Sequence, residues 1–159
     1  MKITKTNAMR LLEKAEIAYQ VHEYPHGKEA VDGVQVAKLL NEDAACVFKT
    51  LITQANTKEY LVYMVPVAKE LDLKKAAKAA DVKHTEMIPV KEITKVSGYV
   101  RGGCSPLAMK KNYRTFIDQS ALDCPHIYFS AGKIGLQIET APADVISLLQ
   151  ITAADLLKK

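Results

Sequence analysis

Two short apolar runs joined by a polar turn set the first constraint on this chain. They are Cys46-Val47-Phe48-Lys49-Thr50-Leu51-Ile52 and Tyr60-Leu61-Val62-Tyr63-Met64-Val65. Ala55-Asn56-Thr57-Lys58 turns the chain between them, and Pro66 ends the second. Runs of this length and composition across such a turn predict a hairpin with a longer loop. Strand side chains alternate between faces, so Lys49 shares a face with Val47 and Leu51 while Cys46, Phe48 and Ile52 line the other. Both faces are largely apolar, the pattern of a covered strand. A lysine in such a strand loses hydration unless it snorkels to the sheet edge or meets an anion or a polar pocket.

The rest of the chain alternates short elements irregularly. The spacing predicts a helix from about Asn7 to Ile17 behind an N-cap at Thr6, then a strand from Tyr19 to Tyr24 stopped by Pro25. A second helix is expected over Val34–Leu40, with Asp32 near its start, and a third from Asp72 through Ala80. Pro89 and Gly98 bracket a short fourth helix. Strands follow at Thr115–Ile117, Ile127–Ser130 and Ile134–Ile138, the last two as a hairpin across Gly132-Lys133. Pro142 opens a helix through Leu149, and Ala153–Leu157 reads as one or two last helical turns. Hairpin-linked strands with scattered helices predict an α+β fold, a single domain over 1–159 with a curved mixed β-sheet or barrel surrounded by helices.

Composition excludes more than it selects. No run approaches the roughly 18 apolar residues of a membrane span, and Met1–Asn7 lacks the apolar core of a leader. A net charge of +4 permits contact with a polyanion without demanding one. The absence of tryptophan argues against a large base-stacking platform. The three cysteines, Cys46, Cys104 and Cys124, are odd in number and lack CxxC spacing. They predict neither a disulfide framework nor a zinc site, and a cytoplasmic protein. His22 and His26 have helical metal-ligand spacing, but Pro25 breaks the helix and no third ligand is evident. No metal or other cofactor is expected.

The second conspicuous motif is Gly98-Tyr99-Val100-Arg101-Gly102-Gly103-Cys104-Ser105-Pro106-Leu107. Adjacent glycines allow close approach of a backbone to a ligand, or simply a tight turn. Lys74, Lys75 and Lys78 form one basic cluster, and Lys110, Lys111 and Arg114 follow the glycine loop. Either group suits phosphate contacts or a solvated face. Lys110 and Lys111 are the better candidates because they adjoin the glycine loop.

Together these segments resemble the YbaK/EbsC family of Cys-tRNA(Pro) deacylases, relatives of the prolyl-tRNA synthetase editing domain. The resemblance rests on Tyr24-Pro25-His26, Val47-Phe48-Lys49-Thr50-Leu51, Leu71-Asp72-Leu73-Lys74-Lys75, the glycine loop, and Ser130-Ala131-Gly132-Lys133-Ile134-Gly135-Leu136, in that order. It covers nearly the whole chain. It implies a trans-editing enzyme that removes cysteine mischarged on tRNA(Pro). It places Lys49 at the catalytic centre, with Tyr24, Thr50, Gly102, Gly103, Ser130 and Gln137 around the substrate. Lys110 and Lys111 would meet the tRNA acceptor end. The family often has aspartate at the position of Gln137 and glycine at that of Ala131. Gln137 keeps hydrogen-bonding capacity but loses the charge.

The implied chemistry has a physical rationale. A synthetase pocket separates near-isosteric side chains by only ~1–3 kcal/mol per methylene-sized difference, so a second site must destroy the wrong product. Ester cleavage needs a nucleophile, oxyanion stabilisation and protonation of the leaving ribose oxygen. No cysteine–histidine pair stands out, so the three cysteines read as structural or incidental. The family suggests instead that the misattached cysteine attacks its own carbonyl with its thiol. Hydrolytic editing of alanine on tRNA(Pro), and a non-catalytic module that binds a tRNA end or nucleotide, are the competing readings. Prolyl-tRNA synthetase is the expected handoff partner, and a monomer the default state.

Overall fold

The computed structural model describes residues 4–27, 29 and 31–159. The leader reading at residues 1–3 lies outside them. Helix α1 (Asn7–Lys14) begins at Thr6, whose hydroxyl accepts from the Met9 N–H at 3.2 Å. It stops three residues earlier than its periodicity predicts, because Glu16 turns into the left-handed region at φ 59°. Strand β1 (Gln20–Glu23) and helix α2 (Gly33–Leu39) follow as expected. The central hairpin is β2 (Phe48–Ala55) and β3 (Tyr60–Pro66), in antiparallel register from Phe48 opposite Pro66 to Gln54 opposite Tyr60.

Helix α3 (Leu73–Ala80) starts at Asp72, which accepts from the Lys74 and Lys75 N–H groups. Next come β4 (Thr85–Met87), α4 (Ile93–Ser97), β5 (Arg114–Asp118), β6 (Ile127–Ser130), β7 (Leu136–Thr140), α5 (Pro142–Leu149) and β8 (Thr152–Ala154). The strands form a mixed sheet ordered β4-β2-β3-β5-β8 and an antiparallel sheet ordered β1-β7-β6. Strands β5 and β8 run parallel to their neighbours. A parallel bridge between Val47 and Tyr128 joins the two sheets at the entrance to β2. The result is the expected curved α+β architecture.

Alternation decides the cores. Met64 and Ile117 face one side of the larger sheet and share a core with Phe129, Ile138, α1 and α5. Leu61, Tyr63, Val65 and Phe116 face the other and are covered by α3. Strand β3 is therefore buried on both faces, as its continuous apolar sequence requires.

Two expectations are corrected, and one strand is added. The segment predicted as a last helical turn forms β8, pairing with β5. Its tail is pinned by the Asp118 carboxylate, which accepts from the Leu156 N–H at 3.0 Å. An unpaired strand edge thus outweighs a weak local helix pattern. Strand β4 was not foreseen, since its sequence is short and polar. Pairing with β2 and a buried Thr85–Thr53 hydroxyl contact at 2.7 Å hold it. Cys46 lies in a 3-10 turn (Ala44–Cys46) rather than in the strand, and forms a disulfide with Cys124, 78 residues away. Spacing along the chain carries no sign of that pairing, because folding brings together two distant turns.

Candidate active site

A cleft of about 1010 Å³ opens between β2 and the β6–β7 hairpin, with α2 and the glycine loop as its other walls. Lys49, Thr50, Tyr24, Gly102, Ser130 and Gln137 all line it. Segments from four separate stretches of sequence thus converge on one cleft. Three expected site residues lie elsewhere. Gly103 is buried against the β6–β7 turn, where an added Cβ would stand 3.2 Å from the Ile134 nitrogen. Its lack of a side chain lets the glycine loop pack closely on that turn. Lys110 and Lys111 are exposed and outside the cleft, and the Lys110 stem lies over Gly98. Lys75 is engaged with Asp155 and the Leu157 carbonyl, leaving that helix cluster partly committed to the fold.

Local geometry explains the walls. The Tyr24 N–H donates to the Gly135 carbonyl at 2.9 Å, docking the segment after β1 onto the hairpin. Gly135 has φ 97°, and a Cβ there would collide with the His26 ring. On the hairpin, Ser130, Gln137 and His22 stand directly opposite one another in β6, β7 and β1. Their side chains therefore share one face, while Phe129 and Ile138 point into the core.

Lys49 is half-buried and has no hydrogen-bond or ion-pair partner among the described residues. Two further polar atoms are orphaned. Thr50 Oγ1 and Gln137 Oε1 are shielded from water with no partner among the described residues, and Gln137 is only 3% exposed. Buried polar groups are seldom left without a hydrogen-bond partner. Ser130 is already partly used, because its hydroxyl accepts from the Gly132 N–H at 3.1 Å. It keeps a hydroxyl proton to donate.

No activated thiol faces the cleft. Burial pushes the Cys104 thiol up to about 11, against a smaller opposing pull from a hydrogen bond with Ser97. Cys46 and Cys124 are bonded to each other. His22 contacts Glu139, His26 contacts the Gly27 carbonyl, and no metal-binding group of three side chains occurs among the described residues.

The sequence reading missed the charged rim. Arg101, Glu29 and Asp32 line the cleft and are exposed. Arg101 lay inside the glycine motif and was open to discovery. Asp32 read only as a helix start, and it makes no side-chain cap. An ammonium, a guanidinium and two carboxylates suit a zwitterionic ligand with an anionic extension.

Residues 27–148 match the family model described as the aminoacyl-tRNA editing domain. The chain belongs to that family. A protein of Enterococcus faecalis (strain ATCC 700802 / V583), provisionally named Cys-tRNA(Pro)/Cys-tRNA(Cys) deacylase EbsC, is 39% identical over 155 residues, covering 98% of this chain and 94% of that one. Among solved structures, one described provisionally as a trans-editing enzyme for prolyl tRNA synthetase superposes with a TM-score of 0.83 at 18% identity, covering 96% of each chain. The hypothetical protein APE2540 superposes with a TM-score of 0.86 at 18% identity, covering 96% of this chain and 100% of that one. At that identity the structures speak for the fold.

Proposed function

We propose that this chain, as one domain over 1–159, is a trans-editing deacylase that cleaves cysteine from mischarged tRNA(Pro). The observation that carries the reading is the Lys49 ammonium, without a partner among the described residues, in a cleft with two polar atoms likewise without one and no activated thiol. Such a site orients and stabilises rather than attacks. The 39% identity to the named deacylase supports the same substrate class.

In the proposed reaction the substrate's own thiol, having lost its proton, bonds to the ester carbonyl carbon. The carbonyl oxygen becomes an oxyanion that Lys49 stabilises, an interaction strengthened where water is excluded. The carbon–oxygen ester bond then breaks. The ribose oxygen takes up the proton that the thiol released, leaving a small cyclic thioester and free tRNA. Holding thiol and carbonyl together supplies most of the rate gain. Gln137, Thr50, Ser130 and Tyr24 position the aminoacyl group, and Gly102 brings backbone to it. Asp32 or Glu29 receives the α-ammonium, and Arg101 the terminal phosphate. Lys110 and Lys111 lie far enough out to meet phosphates further along the acceptor end. A tRNA substrate puts the work in the cytoplasm, beside prolyl-tRNA synthetase, although the Cys46–Cys124 bond withdraws the cysteine argument for that compartment.

The test is deacylation of Cys-, Ala- and Pro-tRNA(Pro) by the purified chain. Preferential loss of cysteine is expected. Equal cleavage of cysteine and alanine would replace the reading by general small-residue hydrolysis, and no cleavage would leave a tRNA-end-binding module. A gel shift with tRNA(Pro) and the synthetase tests the partner, with a ternary complex expected.

A further inference from the structure

A second groove, of about 280 Å³, lies where α3 meets the turn into β4. Lys74 and Lys78 form one bank and Lys83 and His84 the other, over a floor that includes Leu73 and Val82. All four basic side chains are exposed, and no carboxylate lines the groove among the described residues. Lys74 and Lys78 are four apart and stand on one face of the helix, where like charges weaken it. Neither they nor Lys83 has an ion-pair partner among the described residues. Asp72, at the head of α3, is engaged by the Lys74 and Lys75 N–H groups. Both banks are fixed by the fold. Lys75 anchors the helix to Asp155 and the Leu157 carbonyl, and the Lys83 and His84 N–H groups donate to Asn56 Oδ1 at 3.1 and 3.2 Å. The basic groups are therefore arrayed before any ligand arrives. One apolar cluster links groove and cleft: Leu51, which lines the cleft, packs on it, as do Leu73 and Val82 of the groove.

We propose that this groove takes the phosphate backbone of an RNA, as a sequence-independent contact outside the cleft. Three ammonium groups with no carboxylate among them suit a polyanion, and a lysine meets a phosphate as a point charge. The chain belongs to an aminoacyl-tRNA editing family, so a long polyanion whose end enters the cleft has further phosphates to place. That the RNA is a mischarged tRNA rests on the deacylase reading, whereas the affinity of the groove for RNA phosphates does not. The contact adds attraction without reading sequence, because phosphates are alike in every RNA.

The test is binding of uncharged tRNA(Pro) and tRNA(Cys) transcripts to the full chain, by fluorescence anisotropy from about 50 to 300 mM KCl. Wild type should bind both, with an affinity that falls steeply as salt rises. Lys74→Gln, Lys78→Gln and Lys83→Gln together should weaken binding roughly 10-fold or more near 100 mM salt. They should also lower the slope of log affinity against log salt by about 2–3, close to one ion per lost phosphate contact. Both tRNAs should lose equally. Arginine at the same three positions should restore affinity and slope, since the contact needs charge. Should the triple glutamine variant fail to fold, Lys78→Gln alone decides, with a slope lower by about 1. Wild type that binds neither tRNA, a folded glutamine variant with wild-type affinity and slope, a loss confined to one tRNA, or an arginine variant that stays weak overturns the proposal. So does a glutamine variant that keeps tRNA but loses prolyl-tRNA synthetase in a gel shift, which would give the groove to an acidic protein face. A wild type that leaves Cys-tRNA(Pro) intact yet shows the groove-dependent salt slope would sink the deacylase reading and support the groove.

Discussion

Glu42, on the loop after α2, has a consequence for stability that requires no substrate. Its carboxyl is raised from 4.5 to about 7, with burial the largest cause and the Gln137 amide and His22 acting against it. Below the unfolded value both states carry the proton and stability is at its full level. Between that value and about 7 the unfolded chain releases the proton while the folded chain holds it. Folding stability therefore declines across this window and levels off above it. The full shift sets a ceiling of roughly 3 kcal/mol. The Glu42 side chain is only partly buried, and screening by solvent reduces this to about 1–2 kcal/mol. Glu42→Gln keeps the shape and abolishes the titration. In urea unfolding at a series of pH values from 4.5 to 9, the variant should gain about 1–2 kcal/mol relative to wild type by pH 7.5 and hold that gain above it. In a thermal scan at pH 8 the gain corresponds to a Tm raised by about 3–6 °C for a chain of this size. A variant-minus-wild-type difference that stays flat with pH would refute the reasoning.

Lys49→Ala should lower Cys-tRNA(Pro) deacylation by roughly 10²-fold or more, with an unchanged circular dichroism spectrum, since it removes the cleft ammonium that has no partner among the described residues. A folded variant with near-normal turnover counts against its role. Replacing Cys46 and Cys124 together by alanine should cost about 2–4 kcal/mol under oxidising conditions, because the bridge closes a long loop, yet leave single-turnover rates intact. Cys104→Ala should likewise remain active, and a loss of turnover that tracks that thiol would reveal a protein nucleophile. On one tRNA, cysteine should be cleaved far faster than serine or alanine, with the cysteine rate rising through the thiol's titration near pH 8.5. Equal rates for all three would mean that water attacks.

Local pattern carried most of the element order. Thr6, Asp72 and Pro142 mark helix starts because a cap or a fixed φ acts within one turn, and Pro66 and Gly98 mark ends for the same reason. Lys49 was legible as out of place because strand alternation alone puts it among apolar neighbours. Beyond such local patterns, tertiary partners decided. Strand β4 exists because β2 has an edge to pair, and β8 because β5 does. Cys46 and Cys124 meet because two turns 78 residues apart pack together. Gly102 and Gly103 are neighbours of one type, yet one lines the cleft and the other seats the loop on the hairpin. Sequence determined which residues bear the chemistry and where the chain turns, since these follow from interactions a few residues long. Which of those residues share a cavity, and that the Glu42 carboxyl is shielded from water, follow from contacts between distant segments, and only the folded structure could decide them.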